Sequence, residues 1–450
     1  MKTVDIIERI EGEAKLNLTW KDKKVSDASI DFLNFRGFEY ILENKSIMDA
    51  LVYTPRICGI CGQAHLLATV NVIENLYKNS GNELVVTNKA KILRELGLTI
   101  EIIDSHIKWF YMFIMPDIIN QSKKQYDGYT PLKGDKWLEA QKAASETIKA
   151  LAIFAGQWPH TSYMIPGGVV SDPTLLDIVT CENYLDQTIK YFEKNIAGIS
   201  IDNYLSLKSF DEIGTLCSSL KDFSEISFEI NLEKVGKSHN RHIVLADMLD
   251  IKSGISKNRV SKKIDLNKIL ENDDYTFKVN GKSSSKAHTW SKNVQYNGEF
   301  YEVGPLSRAL VNKKEFIVDL HKKYDDSVFT RVMARVDEIA HLLNYSKKLI
   351  KKLDISEESF IKPKVDLKSF DDIYATSVVE ACRGSLLHSI GVKKGKIIKY
   401  DVITPTVWNL GPKSNKELGI AQKAIIGSNS LEEATIILRS FDVCSVCTTH

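Results

Sequence analysis

Arg56-Ile57-Cys58-Gly59-Ile60-Cys61-Gly62-Gln63-Ala64-His65 carries two thiols separated by two residues and a histidine a few positions later. An echo lies at the other end, Asp442-Val443-Cys444-Ser445-Val446-Cys447-Thr448-Thr449-His450. In each pair a turn or helix start brings residues i and i+3 to one side, so both sulfurs can reach one metal ion. A single pair could equally be a redox dithiol. Two pairs, each with a trailing histidine, supply four soft thiolates, a set suited to zinc, iron–sulfur or nickel rather than magnesium or calcium. A structural zinc site is the plain alternative, since closed four-cysteine sites are common. Two features count against it. Structural zinc staples short local segments, whereas these pairs sit near opposite ends of a 450-residue chain that needs no staple. The sequence also stops at His450, three residues past the last cysteine, so the end itself is expected to belong to the site.

Outward from these motifs, composition sets bounds. Charged residues make up 26% and hydrophobic ones 43%, as in ordinary globular proteins. A net charge of +2 offers no electrostatic case for nucleic acid or an acidic membrane. No apolar run reaches about 18 residues, so no membrane span is expected. Met1-Lys2-Thr3-Val4-Asp5 lacks a signal peptide's apolar core, which predicts a soluble, cytoplasmic protein unless a partner carries an export signal. Seven cysteines, four of them in the two pairs, argue against a disulfide framework. Cys181 and Cys217 read as inert core thiols.

Apolar alternation in Val4–Leu18 and a run from Val25 to Phe35, with a turn at Trp20–Lys24, predict an N-terminal antiparallel hairpin. Helices are expected over 65–77, from an Asn88 cap to Met115 with a stop at Pro116, over 137–154, and over 173–196 with Pro173 at the first position. Gly156–Gly168 reads as a rigid loop. A helical stretch over 313–352 is interrupted near Asp325-Asp326, residues 378–408 alternate strand and turn, and a helix over 431–440 delivers the last cysteine pair. The expected class is mainly α, α+β: a core bundle of long helices with a small N-terminal antiparallel sheet and a C-terminal strand region. Four regions are expected: 1–85, with the first motif; 86–205, a helical core; 206–301, a Lys-, Ser- and Asn-rich peripheral subdomain; and 302–450, with the second motif.

These motifs, with others along nearly the whole chain, resemble those of the large, catalytic subunit of nickel–iron hydrogenases. The hallmark Arg-x-Cys-Gly-x-Cys-x-x-x-His is complete, and Asp-Pro-Cys-x-x-Cys-x-x-His is matched with Val443 in place of Pro. The resemblance implies that Cys58 and Cys444 are terminal nickel ligands. Cys61 and Cys447 would bridge to an iron carrying carbon monoxide and cyanide. It implies heterolytic cleavage of H2, with a proton passed to a base and electrons passed onward. Glu11, in Arg9-Ile10-Glu11-Gly12, matches the first proton relay from Cys444. Arg383, in Glu380-Ala381-Cys382-Arg383-Gly384, matches an arginine that hangs over the metals, and Asp104 and Asp442 match the carboxylates that hold it. Cys382 replaces a usual Pro. His65 would hydrogen-bond a cysteine sulfur, and Pro405-Thr406 would receive the cyanide. Glu39, the Val402 carbonyl and His450 match a magnesium site. Ile60 and Met112 fall where relatives line a gas channel, although core packing is the safer reading of both.

The family matures by removal of a short C-terminal extension, so an end at His450 looks like a processed form, with a gene that lacks the extension as the alternative. Cys181, Cys217 and Cys382 are scattered and could not hold a cluster relay, so electrons are expected to leave through an iron–sulfur small subunit, in a heterodimer or dimer of heterodimers. An H2 sensor of low turnover shares all these ligands and stays open as an alternative. A structural, quinone-reductase-like subunit is disfavoured because that relative lacks the four cysteines.

Overall fold

A computed structural model describes residues 1–213, 218–257, 260–262 and 264–450. Cys217 lies outside the described residues. The architecture is the expected α+β class, with long helices at the centre and small antiparallel sheets around them.

The N-terminal region holds three strands rather than two: β1 (Lys2–Ile7), β2 (Ala14–Lys21) and β3 (Lys24–Asp31), paired in that order. The run read as one strand is broken between Glu8 and Glu13, where Arg9 and Gly12 take left-handed backbone (φ 51° and 83°). The turn narrows to Asp22-Lys23, both also at positive φ. Alternation of Ala14, Leu16 and Leu18 puts one face of β2 into the core.

Helix α1 (Gly62–Asn79) begins immediately after Cys61 and is buried along most of its length. Helix α2 (Asn88–Lys108) is capped by Thr87, whose hydroxyl accepts from the Ala90 N–H, and not by Asn88. It does not stop at Pro116. A π-helical segment, Trp109–Ile114, leads into Met115–Ile119, and Pro116 falls in that segment's first turn, where a missing N–H costs nothing. Helices α3 (Asp135–Ala155) and α4 (Leu175–Tyr191) follow. Thr174 and Asp177 cap α4 reciprocally, so it starts after Pro173 rather than at it. The break near Asp325 separates Glu315–Tyr324 from α5 (Val328–Lys352): Asp325 sits at φ 54° and Ser327 caps the second helix.

Helix α2 packs between α3 and α5. On the far side, α1 lies on a meander of β4 (Ile373–Ala381), β5 (Gly384–Lys393) and β6 (Lys396–Ile403). One apolar cluster runs from Ile7 to Cys447, and a smaller one gathers Ile243, Val294 and Trp408. Helix Ser219–Glu229, from the polar tract, joins the large cluster through Phe223, stacked on Phe329 of α5 at 5.6 Å. Helix α6 (Leu431–Arg439) precedes the last motif. Among the described residues no helix is long and apolar enough to cross a membrane.

Candidate metal centre

The first cysteine pair straddles a helix start. Cys61 is the cap of α1, and the Ile60 and Cys61 N–H groups both donate to Cys58 Sγ at 3.4 Å. Arg36 fastens the loop by donating to the Arg56 and Ile57 carbonyls. The second pair lies on one helical turn, Ser445–Thr448, fixed from outside. Ser445 N–H donates to the Glu11 carbonyl at 2.8 Å, the Thr404 hydroxyl to the Cys447 carbonyl at 2.7 Å, and Arg36 N–H to the Thr449 carbonyl at 2.8 Å. Gly12 is required here: a Cβ would stand 3.0 Å from Ser445 Cβ at a backbone φ of 83°.

The chain ends therefore meet. Cys58 and Cys444 sulfurs are 3.8 Å apart, Cys61 and Cys447 are 3.6 Å apart, and Cys444 and Cys447 are 3.0 Å apart. All four are buried and free, and three of them (Cys58, Cys61, Cys447) lie within 4.8 Å of one another. Burial alone would raise the Cys58 thiol, but its thiol neighbours and the Arg383 charge hold it well below its ordinary value. Glu11 forms a parallel bridge with Cys444, and its carboxylate lies beside Gly59. Burial, then the nearby Cys58 charge, raises the Glu11 carboxyl.

Arg383 is buried above this cluster and bound to Asp442 twice, to the carbonyl at 3.0 Å and to Oδ1 at 3.0 Å. Asp442 Oδ2 takes a second guanidinium, Arg335, at 3.1 Å. Asp104 does not join them. It pairs with Lys108 at 2.8 Å, one helical turn on, and burial raises it to about 6. Its neighbour Ser105 faces the pocket instead, bonded to the Cys382 thiol that also accepts from Arg383 Nη1 at 3.6 Å. Successive helical positions point about 100° apart, so one residue decides which side chain meets the arginine.

Comparison with known proteins follows the same lines. A family model described as nickel-dependent hydrogenase matches residues 36–128 and 132–450. The chain belongs to the nickel-dependent hydrogenases. It is 24% identical over its whole length to the periplasmic [NiFeSe] hydrogenase large subunit of Desulfomicrobium baculatum, covering 94% of that protein. It is likewise 24% identical to sulfhydrogenase 1 subunit alpha of Pyrococcus furiosus, covering 97% of it. A crystal structure of the reduced, active Ni-Fe-Se hydrogenase from Desulfomicrobium baculatum shares the fold, with a TM-score of 0.84 over both full chains at 23% identity. This hydrogenase is thus a catalytic large subunit acting on H2, built for a nickel–iron centre and a small-subunit partner.

The residues present fit such a centre. Thiolates bound at about 2.3 Å to one tetrahedral metal lie about 3.8 Å apart, close to the Cys58–Cys444 and Cys61–Cys447 separations of 3.8 and 3.6 Å. Among the described residues the buried Thr406 hydroxyl has no hydrogen-bond partner, which leaves it a donor available to an anionic ligand. Pro405 starts its short helix. His65 bonds through Nδ1 to His388 Nε2 at 3.0 Å, and His388 Nδ1 bonds to Tyr400 at 2.8 Å. Glu39, Val402 and His450 come together: His450 Nε2 is 2.7 Å from the Val402 carbonyl and 3.6 Å from Glu39 Oε1. Burial opposes it, but the His450 bond and charge bring the Glu39 carboxyl to about 2. Ile60 and Met112 are half-buried against the core.

Sequence reasoning missed Glu101, Ser105, His106, Arg335 and Glu338. Glu101 accepts from the Gln63 and Ala64 N–H groups at 2.8 and 3.2 Å, closing the start of α1 behind Cys61. The signal was polar residues at 101, 104, 105 and 106 inside an otherwise apolar helical run.

Proposed function

We propose that this subunit cleaves H2 heterolytically at a nickel–iron centre held by Cys58, Cys61, Cys444 and Cys447, with Cys61 and Cys447 shared between the metals and carbon monoxide and cyanide on the iron. The bound pair supplies Lewis-acid polarisation of H2 and a store for its two electrons. Glu11 takes the proton. Its carboxyl lies beside the first motif, its backbone is tied to the second, and its raised affinity suits a group that both accepts and releases protons. Arg383 faces the thiolates as a fixed cation, aligned by Asp442, and Thr406 offers its hydroxyl to a cyanide. Asp104 serves the same helix through Lys108. His65, locked by His388, stiffens the helix behind Cys61.

Glu39, the Val402 carbonyl and His450 are proposed to hold Mg2+, a role supported by their convergence and by a carboxylate that stays ionised. Electrons pass to a small subunit proposed to carry iron–sulfur clusters. The relatives are named for hydrogenase activity, which favours turnover over the sensing reading. The observation that carries the proposal is the meeting of four buried free thiols from opposite ends of the chain beside one carboxyl. Its test is hydrogen–deuterium exchange by the purified complex: Glu11→Gln should keep nickel and iron and lose exchange into solvent, whereas unchanged exchange would remove Glu11 from the route.

A further inference from the structure

The Arg383 guanidinium is fixed by a closed ring of buried bonds, not by Asp442 alone. Asp442 accepts from Arg383 at 3.0 Å and from Arg335 Nη1 at 3.1 Å. The same Arg335 nitrogen lies 3.1 Å from His106 Nδ1, and its guanidinium sits over the Trp109 ring at 4.4 Å. His106 Nε2 is 2.8 Å from Glu338, which takes Arg308 through two bonds of 2.6 Å. Arg308 then donates to the Ala381 carbonyl at 3.0 Å, two residues before Arg383. The circuit closes through the backbone.

An arginine can only donate, so His106 must accept at Nδ1 and carry its proton at Nε2, where Glu338 accepts it. One tautomer satisfies both neighbours, and burial holds His106 neutral by lowering it to about 4. Without His106, Arg335 keeps its stacking on Trp109 and its bond to Asp442 but loses the acceptor that completes its orientation, which loosens the hold on Asp442 Oδ2.

We propose that His106 is a positioning residue, which through Arg335 and Asp442 sets the direction of the Arg383 guanidinium at the metal centre. This rests on the proposed place of Arg383 as a fixed cation facing the thiolates of the metal centre. The test compares two variants of the complex: His106→Phe fills the volume without either bond, while His106→Gln supplies one acceptor and one donor. The readouts are nickel and iron content, the infrared bands of cyanide and carbon monoxide, and kcat against KM for H2. His106→Phe should keep both metals, shift the cyanide bands and lower kcat about tenfold or more with little change in KM. His106→Gln should restore band position and rate. Native bands and rate in His106→Phe would overturn the proposal, as would a His106→Gln variant shifted as far as His106→Phe. Arg335→Met, read the same way, serves if the Phe variant does not fold. Absence of such bands in the unaltered complex would instead remove the nickel–iron reading itself.

Discussion

Cys61 opens a helix of 18 residues, whereas Cys444 opens one of four. The first motif is held largely by its own surroundings in sequence: the helix start aims its N–H groups at Cys58, and Glu101 from the neighbouring helix closes the end. The second has too few residues to stabilise itself, since a single isolated turn is unfavourable in water. It borrows its shape from Glu11, Thr404, Arg36 and Val402, residues scattered over most of the chain. The difference implies an order of dependence. The first motif is a preformed half-site, and the second is complete only when the distant segments have docked.

The largest effect expected from this contrast is in Cys444→Ser, which should abolish nickel retention measured by elemental analysis. Partial retention would mean that the first motif holds the metal without the second. Glu11→Gln should lower H2-dependent dye reduction by about 10²–10⁴-fold with metals retained; loss of metal would show that the Glu11 backbone link to Cys444 depends on the carboxyl.

Glu101 probes the first half-site. Burial pushes its carboxyl up to about 8, against the two N–H bonds that lower it. Its folded value lies above the unfolded one, so stability is full below about 4.5 and falls as pH rises through the folded value of about 8. Glu101→Gln, which mimics the protonated form, should unfold like the parent near pH 4, below the unfolded value. Near pH 9 it should be more stable than the parent by up to about 5 kcal/mol, as measured by thermal unfolding. Parallel curves at both pH values would contradict the buried, protonated cap. The smallest effect is in Thr404→Val, which removes one bond to Cys447 and should cost about 1 kcal/mol. It should also lower nickel occupancy more than Glu101→Gln does, because it strikes the borrowed half-site.

Both motifs were legible because ligand spacing is local: two cysteines three apart state their purpose without knowledge of the fold. Long elements were legible for the same reason, as in α3 and in the break at Asp325. The surroundings of Arg383 were not. Asp104 is the carboxylate that sequence offers, yet the helix turns it toward Lys108 and presents Ser105. Arg335, His106 and Glu338 are ordinary charged or polar residues on helices, and only the packing of α2 against α5 joins them. Caps were misplaced by one or two residues where Thr87 and Thr174 outcompeted a neighbouring Asn or Pro. The N-terminal strand was split by left-handed backbone at Arg9, which its side chain does not announce.

The central claim is that the two ends of the chain make one bimetallic thiolate centre, and X-ray absorption at the nickel edge of the purified complex tests it most directly. The account predicts about one nickel per chain with sulfur neighbours at about 2.3 Å and an iron scatterer behind them. Zinc in place of nickel, or nickel without sulfur neighbours, would contradict it.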